Sequence, residues 1–292
     1  MTRHFSFFNV VSLKLSNCEN IVLLPPLGIL PSLKNLWITG LSGIVVIGGE
    51  FYGNGSNSSS EIIPFVSLQT LSFKDMKGWE EWDCKTVPGA FSCLQKLSIQ
   101  NCPNLKECLL QHLPRLMKLE ISYCQHLVSF VSFAPAIHKL ELFNCGKLQI
   151  DYHPATLQIL KIGGNCMEEM LLEWIGHTLS HAPLESLEIT DFPTLTIPLG
   201  GCYNFLQYLG IHSSCDSLRT FSLDFFPKLQ SLSIVNCSNL EMILQERDHS
   251  LSQLEIFECP KFVSFPKGGF FAPGLKYFQI CKLENLRSLP RN

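Results

Sequence analysis

Thirteen cysteines and nine histidines are the residues of this 292-residue chain with the widest chemical repertoire. Cys84, Cys93, Cys102 and Cys108 lie close in sequence, but their spacings of 9, 9 and 6 residues match no common zinc-binding pattern. The sequence contains no Cys-x-x-Cys, no His-Glu-x-x-His and no Gly-x-Ser-x-Gly. We therefore expect no metal site and no catalytic residues, and we predict that the chain is not an enzyme.

The sequence gives equally little support for a phosphate-binding site. The glycine pairs at 48–49, 163–164, 200–201 and 268–269 are not followed by the Lys-Ser/Thr of a phosphate-binding loop, so we interpret them as turns and expect no cofactor. The chain has 22 basic and 25 acidic residues, for a formal net charge of −3. This balance gives no reason to expect a nucleic-acid partner.

A repeat with the pattern Leu-x-x-Leu-x-(Ile/Leu/Phe)-x-x-Cys predicts the secondary-structure elements that position the side chains. One copy is Leu94–Leu97–Ile99–Cys102. The first apolar position of the pattern recurs at Val10, Leu33, Leu68, Leu94, Leu116, Ile137, Leu157, Leu184, Leu206, Leu229, Leu251 and Leu275. This spacing is typical of leucine-rich repeats. We predict an α/β leucine-rich-repeat solenoid, with a parallel β-sheet on the concave face and a mostly irregular or 3₁₀ convex side. A single domain of about 12 irregular repeats would span 1–292.

Two longer steps between repeats suggest insertions. A Gly/Ser/Asn-rich run predicts a flexible insertion at 48–62, most mobile from Gly53 to Ser60. Apolar residues at 167, 170, 171 and 174 have helical spacing and predict a convex helix. Trp79 and Trp82 are expected to pack beneath their own long repeat.

Cysteine is repeated at one position of the pattern, which predicts a buried ladder of reduced thiols: Cys18, Cys102, Cys124, Cys145, Cys237 and Cys259. The chain shows no secretion signal and no apolar stretch of transmembrane length. The odd total of thirteen cysteines, the repeat register of six of them and the absence of such a signal together favour a cytoplasmic location.

Side chains between the core positions should point to the concave face, two, four and six positions after the first apolar residue. The protein-binding residues that we predict there are Trp37, Lys96, Lys118, Lys139, Glu120, Glu141, Phe143, Tyr208, His212, Phe257 and Tyr277. The lysines and glutamates form either a binding surface or a self-neutralising ladder, in which they pair with one another. The aromatic residues are typical of binding hot spots, unless irregular loops fold over them.

The segment from Leu24 to Leu36, LPPLGILPSLKNL, closely resembles a segment of plant nucleotide-binding leucine-rich-repeat disease-resistance proteins of the coiled-coil class. The stretch from Ile47 to Trp82 resembles the region that follows it. The resemblance implies an intracellular immune receptor, whose repeats sense pathogen effectors or guarded host proteins and hold the nucleotide-binding domain inactive. The coiled-coil and nucleotide-binding domains are absent from this sequence, so we expect it to be a fragment with protein partners, one of them the missing nucleotide-binding domain.

Two other functions fit a leucine-rich-repeat chain. A substrate adaptor for a ubiquitin ligase would require an F-box, which the sequence does not show. An extracellular receptor ectodomain would require a signal peptide, paired capping cysteines and a regular 24-residue repeat, which are also missing.

Overall fold

The structure is a computed structural model of the whole chain. It describes residues 7–53, 63–83, 89–106, 113–128, 134–148, 153–166, 168–196, 201–266 and 269–289, without the side chains of 168–173. Where we predict one domain, packing divides the chain into two compact units, Met1–Thr156 and Leu157–Asn292. They are called the first and the second unit below.

Besides a 3₁₀ turn at Leu27–Ile29, the first unit contains eight described strands and one short α-helix. In chain order they are β1 (Ser12–Ser16), β2 (Asn35–Thr39), β3 (Val46–Ile47), α1 (Gly49–Tyr52), β4 (Thr70–Lys74), β5 (Glu81–Trp82), β6 (Lys96–Gln100), β7 (Lys118–Ser122) and β8 (Lys139–Phe143). β1, β2, β4, β6, β7 and β8 pair in that order, all parallel. β3 and β5, which follow β2 and β4 in the chain, form a separate parallel pair.

The second unit repeats this arrangement. Apart from a 3₁₀ turn at Leu223–Phe225, its elements are β9 (Ile159–Gly163), α2 (Glu168–His181), β10 (Ser186–Thr190), β11 (Tyr208–His212), β12 (Thr220–Ser222), β13 (Ser231–Val235), β14 (Met242–Leu244), β15 (Gln253–Phe257) and β16 (Tyr277–Cys281). The repeat strands pair in parallel in the order β9, β10, β11, β13, β15 and β16. A separate parallel pair is formed by β12 and β14, which follow β11 and β13 in the chain. The predicted strands and the leucine-rich-repeat solenoid are therefore confirmed.

Alternation of side chains explains both the strands and their register. The second and fourth residues of a strand point into the core, so Leu97, Leu119, Leu140, Leu232 and Leu254 are at most 5% exposed. Neighbouring strands pair with these positions aligned, as in Leu97↔Leu119 and Ile99↔Ile121. Because no repeat can bury this apolar face alone, the stacking of neighbours supplies the core.

Each of the twelve repeat strands is followed by a residue with left-handed backbone conformation, at φ between 48° and 67°. These residues are Asn17, Gly40, Asp75, Asn101, Tyr123, Asn144, Gly164, Asp191, Ser213, Asn236, Glu258 and Lys282. Asparagine, aspartate and glycine tolerate this conformation best, and they fill eight of the twelve positions. The turn ends the strand and sends the chain around the core.

An aromatic cluster fills the core of the first unit below its longest repeat. Trp79 and Trp82 are 0% and 3% exposed, which confirms that they pack there. Phe51 and Tyr52 of α1 join them, and Trp82 Nε1 donates a hydrogen bond to the Tyr52 hydroxyl at 2.8 Å. The predicted flexible insertion at 48–62 thus begins with the short helix α1, which the buried side chains of Phe51 and Tyr52 anchor to the core. Its remainder, 54–62, lies outside the described residues, and mobility there stays a prediction.

The glycine of the LPPLG segment lets α1 approach this cluster. A Cβ on Gly28 would lie 2.6 Å from the Tyr52 carbonyl oxygen and 2.9 Å from the Tyr52 Cα. The Gly28 carbonyl also accepts the Phe65 N–H at 2.9 Å. Only a residue without a side chain permits this backbone contact.

The helix predicted from the spacing of 167–174 is confirmed as α2. Its described buried side chains are Trp174, Ile175, Thr178 and Leu179, which lie on one face at helical spacing. Pro183 follows the helix by two residues and cannot continue it. Among the described residues, no helix is long and apolar enough to cross a membrane.

The cysteine ladder is confirmed in five of its six positions. Cys102, Cys124, Cys145, Cys237 and Cys259 are buried and form no disulfide, and each Sγ lies 3.2–3.7 Å from the carbonyl oxygen two residues earlier. A hydrogen bond with the Cys124 thiol, followed by burial, raises the pKa of Cys102, so this thiol stays protonated. Cys18 is the correction: its thiol is exposed, since its repeat lies at the edge of the sheet in the first unit.

Candidate functional site: the exposed strand faces

The outer face of each sheet is formed by the first, third and fifth residues of the strands. All eleven predicted binding residues lie at these positions, seven in the first unit and four in the second. Lys96 and Tyr277 are exposed, and the other nine are half-buried. The strand register therefore places these side chains as the repeat pattern predicts, while no observation assigns them a partner.

Four predicted residues of the first unit form one charged network. Lys118 Nζ lies 2.8 Å from Glu141 Oε2 and 3.3 Å from Glu120 Oε2, and Lys139 Nζ lies 3.0 Å from Glu141 Oε1. Burial opposes ionisation of Glu141, but hydrogen bonds and attraction from the two lysines outweigh it and hold the pKa of this carboxyl below its ordinary value of 4.5. The same contacts raise the pKa of Lys118 above 10.5, against the effect of burial. These side chains form the self-neutralising ladder.

Lys96 stands outside that network, although its strand is paired with that of Lys118. Among the described residues it has no carboxylate within ion-pair distance, and Lys14 on β1 and Lys74 on β4 share this property and are also exposed. Trp37 lies beside Lys14 in the register of β1 and β2. The described face of the first unit thus carries five lysines and two glutamates, a net charge of +3.

The face of the second unit is organised around a glycine. Gly210 on β11 has no side chain, and the Tyr208 hydroxyl lies 2.9 Å from the place that a Cβ would occupy there. The Tyr208 side chain therefore runs along its strand and lies against the sheet rather than projecting into solvent. Glu188 borders Gly210 from the neighbouring strand and is paired with Lys161 at 2.6 Å. Burial, followed by the negative charge of Glu188, raises the pKa of Tyr208 above 10.0.

The other predicted residues of this face have mixed environments. His212 lies with Nε2 3.3 Å from the hydroxyl of Ser233, which is 6% exposed. The Phe257 ring is covered by Lys282, whose Nζ lies 5.3 Å from the ring centroid. Tyr277 is 45% exposed, and its hydroxyl donates a hydrogen bond to Gln279 Oε1. No loop among the described residues buries these rings completely.

Two features of the face were missed at the sequence level. Glu255 has no described ionic partner, although Glu120, Glu141 and Glu188 are each paired with a lysine. The space above Gly210 is filled by the side chains of Tyr208, Glu188 and His212, and His212 also covers Ser233. The signal available in the sequence was the alignment of Glu255 with uncharged Ser233 and Gln279 in the neighbouring repeats.

Metal chemistry finds no support in the part of the chain that the structure describes. It contains no group of three or more histidine, cysteine, aspartate or glutamate side chains that could hold a metal ion. What the strand faces offer is a broad surface of aromatic, polar and charged side chains on a rigid sheet.

These features define a leucine-rich-repeat solenoid that presents its variable side chains on the strand faces. In comparisons with known proteins, the chain is 28% identical over 272 residues to "Putative disease resistance RPP13-like protein 1" of Arabidopsis thaliana, covering 90% of this chain and 19% of that protein. A second protein of that species, also named a putative disease resistance protein, is 42% identical over 120 residues, or 41% of this chain and 8% of that protein. "Probable disease resistance protein RF9", of the same plant, is 27% identical over 142 residues, 45% of this chain and 13% of its own length.

The homologues are therefore plant disease resistance proteins, and with the solenoid they support a leucine-rich-repeat region of such a protein. The chain spans less than a fifth of the length of each of these relatives. No family model and no solved structure matched the chain.

Proposed function

We propose that the chain is the protein-binding leucine-rich-repeat region of a cytoplasmic plant immune receptor. In this role it recognises a pathogen effector or a guarded host protein, restrains a nucleotide-binding domain and catalyses no reaction. The names of the relatives support the setting in disease resistance. Five buried free thiols support a reducing compartment.

One observation carries the binding role. Tyr208 and Phe257 lie on the outer face of the second unit, although the core positions of their strands are already filled by leucine and isoleucine residues. Tyr277 lies on the same face of the edge strand β16. Aromatic side chains on an outer face bring apolar area and hydrogen-bonding groups to a partner at a low cost in conformational entropy. The first unit, with Lys14 and Trp37, is then the surface that we assign to the nucleotide-binding domain.

The binding role is tested by screening the purified chain against arrayed pathogen effectors and host proteins, and by repeating each positive interaction with Tyr208, Phe257 and Tyr277 changed to alanine. We expect binding to be lost while the melting temperature falls by only a few degrees, because all three side chains are outside the core. The control is the exposed triplet Glu246, Arg247 and Asp248 changed to alanine in the same unit. Retained binding by the aromatic variant would contradict the assignment.

The restraining role is tested by replacing the aligned repeats of the 28% identical relative with this chain and expressing the hybrid in leaves. Changing Lys14 and Trp37 to alanine should cause cell death without a pathogen, because the contact that holds the nucleotide-binding domain is removed. The aromatic triple variant should stay inactive. A hybrid that stays inactive with both sets of changes would show that the first unit does not restrain it.

A further inference from the structure

The edge strand of the first unit, β1, leaves the core side chains of its repeat partly uncovered. Four apolar residues of this repeat are half-buried: Val10, Leu13, Leu15 and Ile21. Their equivalents in the β2 repeat are 0% exposed: Leu33, Leu36, Ile38 and Ile44. Each repeat covers the core residues of its neighbour, so this edge is a repeat–repeat interface with one side open.

The edge strand of the second unit, β16, is open in the same way. Three apolar residues of its repeat are half-buried: Leu275, Ile280 and Leu286. Phe278 and Leu289 are 37% and 59% exposed. The equivalents of these five residues in the β15 repeat are at most 7% exposed: Leu251, Ile256, Phe262, Leu254 and Phe265.

The β1 repeat carries two side chains that contact the preceding repeat when they occur elsewhere in the chain. The first is the ladder cysteine. Cys145 Sγ lies 3.4 Å from the carbonyl oxygen of Ile121, which belongs to the preceding repeat. Cys18 occupies the same position, but among the described residues its Sγ contacts only the Ser16 carbonyl of its own repeat, at 3.3 Å.

The second is an asparagine two residues after the ladder cysteine. Asn104 Nδ2 donates a hydrogen bond to the Lys77 carbonyl of the preceding repeat at 2.8 Å, and Asn239 Nδ2 donates one to the Asp216 carbonyl at 2.7 Å. Asn20 occupies this position and is exposed, in a shallow groove lined by residues 17–21. The β1 repeat is therefore built as an interior repeat rather than as a polar cap.

Backbone hydrogen bonds between repeats follow a fixed direction. The first residue of a strand donates its N–H to the preceding repeat, as Asn35 does to the Val11 carbonyl at 3.0 Å. The turn residue after a strand donates its N–H to the following repeat, as Glu258 does to the Cys281 carbonyl at 3.0 Å. The two sides of a repeat thus present different donors and acceptors.

The open edges of β1 and β16 are complementary in this respect. β1 is paired only with β2, which leaves the Ser12 N–H and the Ser16 carbonyl on its other side. β16 is paired only with β15, which leaves the Lys276 carbonyl and the Lys282 N–H. Each donor meets an acceptor when β1 follows β16 in parallel.

We propose that copies of this chain associate head to tail, with β1 of one copy added in parallel to β16 of another. Leu13 and Leu15 then stack on Phe278 and Ile280 of the other copy and bury apolar area at both edges. The contact joins two different surfaces, so each pair of copies keeps one open edge of each kind and can bind further copies. It uses the edges of the sheets and is independent of the binding role proposed for the outer face.

The same register supplies the side-chain contacts that the β1 repeat lacks. Cys18 reaches the Ile280 carbonyl of the other copy, and Asn20 reaches its Glu284 carbonyl, as the equivalent residues do between repeats. Glu19 and Glu284, both exposed, become neighbours at the turn. Because these two carboxylates repel each other, we expect the association to strengthen as the salt concentration rises.

The test is sedimentation equilibrium of the purified chain in a reducing buffer over a range of concentrations, with Cys18→Lys to block the β1 edge and Phe278→Lys to block the β16 edge. We expect the mass of the unmodified chain to rise with concentration beyond that of a dimer. Each variant alone should stay monomeric, whereas their equimolar mixture should form a dimer and nothing larger. Val128→Lys and Leu244→Lys, at exposed residues away from both edges, are controls that should associate like the unmodified chain.

Two further variants address folding and magnitude. Leu289→Lys blocks the β16 edge at a more exposed residue, if Phe278→Lys lowers the melting temperature. Cys18→Ala combined with Asn20→Ala should weaken association about tenfold, because two hydrogen bonds are lost.

Several outcomes would overturn the proposal. An unmodified chain that stays monomeric at every concentration would do so. Dimers of Cys18→Lys alone would indicate pairing of two β16 edges, and dimers of Phe278→Lys alone would indicate pairing of two β1 edges. Association that weakens as salt rises would contradict the register that places Glu19 beside Glu284.

Discussion

The two units build the same strands from the same core positions, yet their outer faces have opposite charge. The first unit presents five lysines and two glutamates, whereas the second presents one lysine and two glutamates around three aromatic residues. The core positions are constrained by stacking on neighbouring repeats, while the face positions are not. Recognition in such a chain is thus encoded where the repeat pattern leaves the residue type free.

The carboxylates show the same contrast at the level of single residues. Glu141 lies between two lysines, each about 3 Å away, and its charge is satisfied within the first unit. Glu255 occupies the equivalent strand position in the second unit and has no described partner. Equivalent positions of two repeats thus differ in whether their neighbours supply a cation.

The largest effect is expected from changes in the shared core. Leu97→Ala in the first unit and Leu232→Ala in the second should each lower the free energy of unfolding by about 2–5 kcal/mol, because both side chains are at most 1% exposed and their removal leaves a cavity. Urea denaturation measures the loss. Val22→Ala and Leu244→Ala, at exposed positions of the two units, serve as controls that should shift it by about 0.5 kcal/mol or less. A large difference between the two core variants would show that the units do not share one packing scheme.

A smaller effect is expected where the first unit has a close contact of its own. Gly28→Ala should destabilise the protein by about 1–3 kcal/mol, because the added methyl group overlaps the Tyr52 backbone, which cannot move without disturbing the aromatic cluster. The measurement is thermal unfolding followed by circular dichroism. Gly201→Ala is the matched control, since nothing lies within 4 Å of its added Cβ. Equal melting temperatures for both variants would mean that α1 does not pack closely against this glycine.

The smallest effect distinguishes the paired from the unpaired carboxylate. The folded state lowers the pKa of Glu141, so the unfolded chain binds more protons as the pH falls, and the contribution of Glu141 is lost as the pH drops below its ordinary value of 4.5. Glu141→Gln should therefore cost about 1 kcal/mol at neutral pH and less as the solution becomes acidic. Urea titrations between pH 7 and pH 3 measure this slope. Glu255→Gln, which removes no ion pair, should leave stability nearly unchanged across the same range; equal slopes would remove the distinction between the two residues.

Much of the fold could be read from the repeat because its information is local and periodic. The spacing of Leu97 and Ile99 places both side chains on one side of a strand, and repetition of that spacing in every repeat predicts the register of the sheet. The cysteine position and the helix after β9 followed from the same kind of pattern. The structure of the insertion after Gly48 was harder to predict, because its composition suggested flexibility, whereas two aromatic residues within it reach the core.

The sequence by itself determined which residues face the core and which lie on the outer face, because a strand alternates its side chains whatever surrounds it. Only the tertiary structure decided what each outer residue contacts. Tyr208 lies against the sheet because Gly210 on the same strand has no side chain, and Cys18 is exposed because its repeat is at an edge. Glu255 has no described ion pair because its strand neighbours, Ser233 and Gln279, carry no charge. These outcomes depend on residues that lie more than 20 positions apart in sequence, or two positions apart on one strand. The repeat pattern does not specify how their side chains contact one another.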